Sequence, residues 1–408
     1  MLVWIATNVV SRIEGGERKL DFSLSDEQRA IRDTARAFIQ KEVMPLEPEL
    51  LRRERRGEVG LEHSELQALQ RKARDFGFWG LGTPAVYGGA ELPNLTQSLV
   101  WTELGRSFVP FYFGGETDVI LYQAAEHQRE EYLLPAIEGT RASCFAVTEP
   151  DAGSDLTAIR MRAKRDGDDW ILNGEKTFIT RGGEADFAIV IAVTDAELGY
   201  KGGFTAFIVD RAMGWTSSTI ETMGPARPIS MSFIDVRVPH RNVLGEVGDG
   251  FRLAMEWIGR GRYLIPSQAV GAAERLLQMA VDYAQERRTF GQPIGDHQMI
   301  QTMIADCDVE LESARWLVLL AAWTVDQGRD PRHQFSMAKL AGATMANHVV
   351  DRVMQIHGGM GYTRELPIER WYREARLWRI FEGTDEIQKR SIARNLLSGR
   401  ERIGGHLA

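Results

Sequence analysis

Residues 380–388 read IFEGTDEIQ, and this stretch contains the residue around which the rest of the chain is interpreted. Glu382 stands between a large aromatic residue, Phe381, and a glycine, Gly383. An aromatic ring can shelter a carboxylate from water, and a glycine lets a flat ligand approach the backbone. A sheltered carboxylate has a raised pKa, so Glu382 could accept and hold a proton near neutral pH. Alone the pattern is weak, because most glutamates are solvated surface charges.

The composition indicates a globular protein with more than one domain. At 408 residues the chain is too long for one ordinary core, and its 44% hydrophobic and 26% charged residues are typical of soluble proteins. It carries 57 acidic and 49 basic side chains. The resulting net charge of -8 argues against a nucleic-acid surface, although a local basic patch could bind a phosphorylated ligand.

Cysteine usage and hydropathy predict the compartment. Cys144 and Cys307 have neither CxxC nor metal-ligand spacing, so we expect no metal site and a reducing compartment, with the cytoplasm as the default. No apolar run reaches the roughly 18 residues of a membrane span. Residues 1–20 lack the basic start and cleavage site of a signal peptide, and we expect them to form a loose extension.

The first and middle parts of the chain follow different hydrophobic periods. Ser25 and Gln28 form a capping-box pattern at the start of a helix, which we expect to stop at Met44-Pro45. Further apolar residues recur at helical spacing. Short β-branched runs then take over, and Asn173-Gly174 predicts a hairpin between two of them. Strands are also predicted over 187–193, 204–209 and 232–238.

Long amphipathic patterns return at residue 251. Stripes such as Trp316, Leu320 and Trp323 recur at helical spacing, and we expect them to pack in a core. Helices of this length favour a four-helix bundle. The expected fold class is α+β and mainly α. It comprises an N-terminal helical domain over 21–145, a middle antiparallel β-domain over 146–250 and a C-terminal four-helix bundle over 251–408.

Three other stretches contain residues suited to a flat or phosphorylated ligand. Residues 146–158 crowd glycine, hydroxyls and acceptors into a loop that could hydrogen-bond a heterocycle, although by chemistry alone they could form only an Asx-rich turn. Residues 287–291 (RRTFG) suit a pyrophosphate and a purine, or a basic helix end that complements the dipole. Residues 355–362 (QIHGGMGY) follow a helix rather than a strand, so they predict a glycine turn and not a Rossmann fingerprint.

In this order, the stretches resemble those of the acyl-CoA dehydrogenases, over residues 22–397. The most specific are the TEPxAGSD-type stretch at 146–158 and the segment 355–390, which joins QxxGGxGY to EGTxEIQ. The resemblance implies FAD bound between the β-domain and the bundle, an acyl-CoA substrate, and electron transfer to an electron-transfer flavoprotein. It also implies a homotetramer, or else a dimer, in which the adenine end of each FAD touches a neighbouring subunit.

The resemblance assigns the position of the catalytic base to Glu382. It implies that Glu382 removes the proton α to the thioester carbonyl while the β-hydrogen leaves as hydride to FAD, giving a trans-2-enoyl-CoA. A hydrogen bond from the Glu382 backbone N–H to the carbonyl oxygen would stabilise the enolate-like charge. The implied substrate contacts are Ser154, Arg262 and Gly383. The implied cofactor contacts are Thr148, Phe178, Thr180, Arg287, Thr289, Phe290, Gln298, Gln355, Gly359, Thr384 and Glu386.

The chain departs from the family pattern at several positions. Gly261 stands where one branch of the family carries an alternative glutamate base, which leaves Glu382 as the candidate. Gly259 replaces an aspartate that some members carry in the segment that contains Arg262, which the resemblance assigns to the coenzyme A tail. Phe381 replaces a tyrosine, so we expect packing there without a phenolic hydrogen bond.

Two alternatives remain open from the sequence. An FAD oxidase of the same fold, of the acyl-CoA oxidase or nitroalkane oxidase type, would use oxygen as its acceptor, although nitroalkane oxidases carry aspartate where this chain has Glu382. A non-catalytic flavoprotein scaffold related to this fold would be expected to need an extra basic region. The sequence does not determine the acyl group, but residues 111–116 (FYFGGE) are expected near its pocket.

Overall fold

The computed structural model describes residues 23–58 and 60–405, so the extension expected at 1–20 lies outside the described residues. Its N-terminal part is helical, as predicted. The capping box is confirmed, because the Ser25 hydroxyl accepts from the Gln28 backbone and the Gln28 side chain accepts from the Ser25 N–H. The helices are α1 (Asp26–Phe38), α2 (Glu47–Arg55), α3 (His63–Asp75), α4 (Asn94–Gly105) and α5 (Leu134–Glu138).

The predicted stop at Met44-Pro45 is wrong. The regular helix α1 already ends at Phe38, and a π-helical turn (Ile39–Val43) and a 3₁₀ turn (Met44–Leu46) lead directly into α2. Pro45 is compatible with this path because it lies in the first turn of a helical segment, where its missing N–H would have had no helical partner.

The middle part forms an eight-stranded sheet with strand order β6-β7-β3-β2-β4-β5-β8, and β1 pairs with β4. Most pairs are antiparallel as predicted, but the sheet is mixed because β4 pairs in parallel with both β1 and β2. The three strands expected beyond the hairpin are confirmed. The strands are β1 (Ser143–Ala146), β2 (Arg162–Asp166), β3 (Asp169–Ile179), β4 (Phe187–Val193), β5 (Phe204–Asp210), β6 (Thr216–Thr219), β7 (Ile229–Pro239) and β8 (Val243–Leu244).

The hairpin predicted at Asn173-Gly174 is wrong, because β3 runs without a break through these residues. The hairpin turn comes earlier, where Asp166 pairs with Asp169. Gly174 instead marks a shift in the register of β3 against β7, and its φ is 146°. A side chain there would place a Cβ 2.8 Å from Met161, so glycine is required for close packing rather than for a turn.

The C-terminal helices end where the glycine signals predicted. The first and third of these helices run in parallel, since the Tyr263 ring stacks on Phe335 near their starts and the Tyr283 ring stacks on His357 near their ends. One hydrophobic core joins them to the N-terminal helices, while the two faces of the sheet contact separate clusters. The helices are α6 (Gly250–Glu286), α7 (Gln298–Asp326), α8 (Arg332–His357), α9 (Ile368–Trp378) and α10 (Asp385–Leu397).

Core packing was the wrong prediction for two aromatic residues of α7. Trp316 and Trp323 are 45% and 38% exposed, so they lie on the outer face of the helix.

Within residues 23–58 and 60–405, no helix has the length and apolar character needed to cross a lipid bilayer. The domain limits at residues 145 and 250 remain predictions.

Candidate active site

Glu382 lies in the tight turn between α9 and α10, in a backbone conformation that is rare for glutamate. Its φ is +53°, and Gly383 follows with a φ of +87°. The turn is fixed at both sides, because Thr384 caps the N-terminus of α10 and the Arg379 guanidinium pairs with the Asp385 carboxylate at 2.6 Å. Strained residues that the surrounding structure holds in place are typical of functional sites.

Two buried side chains that the sequence analysis missed hold the carbonyls of this turn. Lys339 of α8 donates to the Gly383 carbonyl at 2.7 Å, and the Gln388 amide donates to the carbonyls of Glu382 and Gly383 at 3.0 Å each. The Glu382 N–H has no acceptor among the described residues, so it can donate to a ligand. A lysine on the buried face of α8 was the available signal, since buried lysines almost always have a partner.

The Glu382 carboxyl group rests against α6 at Gly261. A Cβ at residue 261 would lie 3.2 Å from both the Cδ and an oxygen of this group, so glycine leaves the room that the carboxyl group occupies. Desolvation raises the pKa of Glu382 to about 7, although the positive charges of Arg262 and Lys339 act to lower it. The group can therefore exchange a proton near neutral pH, as the sequence analysis predicted for a sheltered carboxylate.

Buried polar atoms without a hydrogen-bond partner cluster around this turn. Unpartnered buried groups are rare in folded proteins and each calls for an explanation. Here a polar ligand that lies between the turn and α6 would explain them. Among the described residues, four such atoms belong to this region: Arg262 Nε, Glu382 Oε2, Asp385 Oδ1 and Gln388 Oε1.

A second wall of the site comes from the sheet. The fully buried Lys176 amino group donates to the Glu149 carboxylate at 2.8 Å and to the Val147 carbonyl at 3.0 Å, which fixes the loop that carries Thr148. Burial lowers the pKa of Lys176 to about 8. At the end of β3, the Phe178 side chain is 62% exposed with a φ of +58°, and Thr180 is also exposed.

The loop after Thr148 also approaches α10. Ser154 is exposed, and the neighbouring Asp155 has a lowered pKa because it accepts hydrogen bonds from Thr157 and lies near Arg390 of α10. Ser154 is thus one residue away from a carboxylate that senses the charge of Arg390 in α10, the helix that Thr384 caps and whose first turn carries the exposed Glu386.

The remaining predicted cofactor residues lie at the other end of the bundle. The ring contact of Tyr283 with His357 places the end of α6 beside the glycine turn after α8. From Lys339 to His357, α8 rises roughly 27 Å at about 1.5 Å per residue, so this second group is remote from Glu382 within one chain. Phe290 is 97% exposed with a φ of +51°. The second group comprises Arg287, Thr289, Phe290, Gln298, Gln355 and Gly359.

The loop expected near the acyl pocket contacts α6 beside Gly261. The Glu116 carboxylate accepts from the Gly82 N–H at 3.0 Å and pairs with the Arg260 guanidinium at 3.5 Å. Phe381 is partly buried against the hydrophobic core. In the described part of the chain, no cluster of three or more histidine, cysteine, aspartate or glutamate residues could hold a metal ion.

Sequence profiles of known families match most of the chain. Residues 25–140, 144–235 and 248–397 match the N-terminal, middle and C-terminal domains of acyl-CoA dehydrogenase. The chain belongs to the acyl-CoA dehydrogenase family. Members act on a CH–CH group and use FAD, so this member of the family is a flavin-dependent oxidoreductase.

Individual relatives match the chain along nearly its whole length. It is 38% identical to the (R)-benzylsuccinyl-CoA dehydrogenase of Thauera aromatica over 93% of this chain and 97% of that one. It is 36% identical to the short-chain specific acyl-CoA dehydrogenase of Mus musculus mitochondria over 92% and 91%. The solved butyryl-CoA dehydrogenase of Megasphaera elsdenii superposes with a TM-score of 0.82 at 32% identity, covering 93% and 100%.

The residues of the candidate site fit FAD by their chemistry. Each of the two groups of predicted cofactor residues contains an exposed phenylalanine, Phe178 or Phe290, whose ring offers a surface to a flat heterocycle. The Thr148 hydroxyl has no partner among residues 23–58 and 60–405, and the exposed Arg287 guanidinium suits a pyrophosphate.

Proposed function

We propose that this protein removes the α- and β-hydrogens of an acyl-CoA thioester and yields a trans-2-enoyl-CoA, with Glu382 as the base. The observation that supports this most strongly is a carboxyl group with a pKa of about 7 in a strained turn, beside a backbone N–H that finds no acceptor in the described part of the chain. A general base works best when its pKa lies near the working pH.

Each residue of the turn has a role in this proposal. The Glu382 carboxylate takes the α-proton, and the Glu382 N–H donates to the thioester oxygen, where negative charge develops. Lys339 and Gln388 hold the two carbonyls of the turn and so fix the direction of that N–H. Ser154, Arg262 and Gly383 bind the thioester substrate. Bound FAD supplies the two-electron acceptor for the β-hydrogen.

The cofactor would be held by both groups of residues. Thr148, Phe178, Thr180, Thr384 and Glu386 bind its flavin end. We propose that the remote group at the other end of the bundle, which includes Arg287, binds the adenosine and pyrophosphate of the FAD of a second copy of the chain in a homotetramer or dimer. The distance along α8 supports this arrangement.

The reduced flavin would pass its electrons to an electron-transfer flavoprotein. The buried free thiols of Cys144 and Cys307 agree with the reducing cytoplasm as the compartment. Two assays distinguish this acceptor from oxygen. One measures turnover under nitrogen with purified electron-transfer flavoprotein, and the other measures release of hydrogen peroxide in air without that flavoprotein.

Product analysis tests the proposed reaction. Purified protein, hexanoyl-CoA and an artificial electron acceptor should give a thioester two hydrogens lighter, with its double bond between C2 and C3. Recovery of unchanged or hydrolysed thioesters only, across a panel of acyl chains, would refute the proposed function.

The pH dependence of kcat/KM should reveal the neighbours of Glu382. The base must be deprotonated, so the rate rises through a pKa of about 7. The positive charge of Arg262 lowers this pKa, so Arg262→Gln should move the midpoint of the rise to higher pH. Arg262→Lys keeps the charge and should leave the midpoint near that of the parent. If Arg262→Gln leaves the midpoint unchanged, Arg262 does not act on the base.

Loss of Arg287 should weaken FAD retention. Arg287→Ala removes the guanidinium assigned to the pyrophosphate, so the purified variant should have a lower ratio of flavin to protein absorbance. Arg288→Ala is the matched control, because Arg288 donates to the Gly291 carbonyl at 2.9 Å and has no assigned cofactor contact. An Arg287→Ala variant that purifies with full flavin would remove Arg287 from the cofactor site.

A further inference from the structure

Arg181 is an arginine at the predicted flavin wall to which the sequence analysis gave no role. It follows Thr180 directly, and its φ of +56° is uncommon for a residue with a long side chain. Its guanidinium lies over the Tyr112 ring, with 4.7 Å between the central guanidinium carbon and the ring centre. Arg181 is thus placed against the loop expected near the acyl pocket.

Two contacts locate this pair beside the turn of α6 that faces Glu382. Further along the Tyr112 loop, Glu116 pairs with Arg260, whose neighbour Gly261 contacts the Glu382 carboxyl group. Asp118, in the same segment, accepts from Trp257 Nε1 at 2.5 Å, and Trp257 lies one helical turn before Gly261. Arg181 and Glu382 therefore flank the same short section of α6.

Asp118 acts electrostatically on Arg181 without forming an ion pair with it. No carboxylate of the described residues forms an ion pair with it, whereas Arg260 of the same cleft is paired with Glu116. The Asp118 carboxylate already accepts hydrogen bonds from the Trp257 indole and from the Ser143 hydroxyl, the latter at 2.5 Å.

Arg181 keeps its charge although the surrounding protein partly desolvates it. Burial acts to lower its pKa, but Tyr112, Asp118 and Cys144 outweigh burial and raise it. The side chain remains open to solvent and hence to a ligand. A charged group that is partly desolvated and unpaired at a cleft is a candidate for binding a charged ligand.

We propose that Arg181 binds a carboxylate on the acyl group, so that the preferred substrates are mono-thioesters of dicarboxylic acids. This inference rests on the proposed function, because it concerns the acyl end of the same thioester. A guanidinium can bind a carboxylate with two parallel hydrogen bonds in its own plane, and the Tyr112 ring lies over the face of that plane.

Matched thioesters test the proposal. Dicarboxylic mono-thioesters from succinyl-CoA to suberyl-CoA are compared with the monocarboxylic thioesters of the same chain length, by kcat/KM with an artificial acceptor. The parent should prefer the dicarboxylic member of at least one pair by about 10- to 100-fold, as expected for hydrogen bonds to a charged group. Arg181→Met should remove that preference and change the monocarboxylic rates little, and Arg181→Lys should retain part of it.

The control is Arg165→Met, since Arg165 also lies over an aromatic ring, that of Trp170, but is exposed at the β2–β3 hairpin. It should retain the parental preference. The proposal is overturned if the parent shows no preference at any length, or if Arg181→Met lowers both members of a pair equally. Bleaching of the flavin by hexanoyl-CoA would uphold the proposed function even then, so the two failures are distinguishable.

Discussion

Glu382→Gln should retain FAD and thioester binding and lose turnover by about 10²- to 10⁴-fold, the usual contribution of a positioned general base. Glutamine has nearly the same shape, and the turn is held by Lys339 and Gln388 through backbone carbonyls that the substitution leaves in place. The loss therefore measures proton removal rather than misfolding. It is measured as kcat/KM with an artificial acceptor, beside the flavin content of the purified variant.

Glu365→Gln is the matched control, because Glu365 is an exposed carboxylate that precedes α9 and has no assigned role. It should retain parental turnover. A Glu382→Gln variant that turns over at the parental rate would show that another group removes the proton. Loss of flavin from that variant would show that Glu382 serves the cofactor site instead.

Lys176→Met should destabilise the protein by about 3–5 kcal/mol, the usual cost of removing one partner from a buried ion pair. The Lys176 side chain is fully buried and its amino group donates to the Glu149 carboxylate. That carboxylate also accepts from the backbone N–H groups of Arg160 and Met161. The substitution leaves a buried negative charge without its cation. Urea unfolding of the FAD-loaded protein should show a lower midpoint.

The companion variant Lys164→Met removes an exposed lysine from β2 of the same sheet and should change the midpoint little. Because the Lys176 pair fixes the loop that carries Thr148, we also expect Lys176→Met to retain less FAD. Equal midpoints for the two lysine variants would mean that the buried pair contributes no net stability.

Local signals predicted the parts of the fold that local interactions decide. The capping box at Ser25 depends on residues three apart, and glycines such as Gly358 end helices through their own backbone conformation. The Asn173-Gly174 prediction failed because the close approach of Met161, the residue before β2, requires glycine there. Short-range turn signals do not contain that information.

The candidate site also combines features that local sequence signals predict with features that depend on contacts between distant residues. The stretch at 380–388 indicated the base, but its pKa depends on burial against α6, and its geometry depends on Lys339, which lies 44 positions from its acceptor in the chain. Arg181 gave no local signal either, because its partner ring, Tyr112, comes from the N-terminal helical part. Contacts between distant segments thus decide which polar residues face the cleft.

In the proposed reaction Glu382 takes the proton next to a thioester carbonyl. This step is tested most directly by the rate of anaerobic flavin bleaching with an ordinary thioester and with the same thioester deuterated at both α positions. Deuteration should slow bleaching several-fold in the parent, and Glu382→Gln should nearly abolish bleaching. Equal rates for the two substrates, together with parental bleaching in Glu382→Gln, would contradict this role of Glu382.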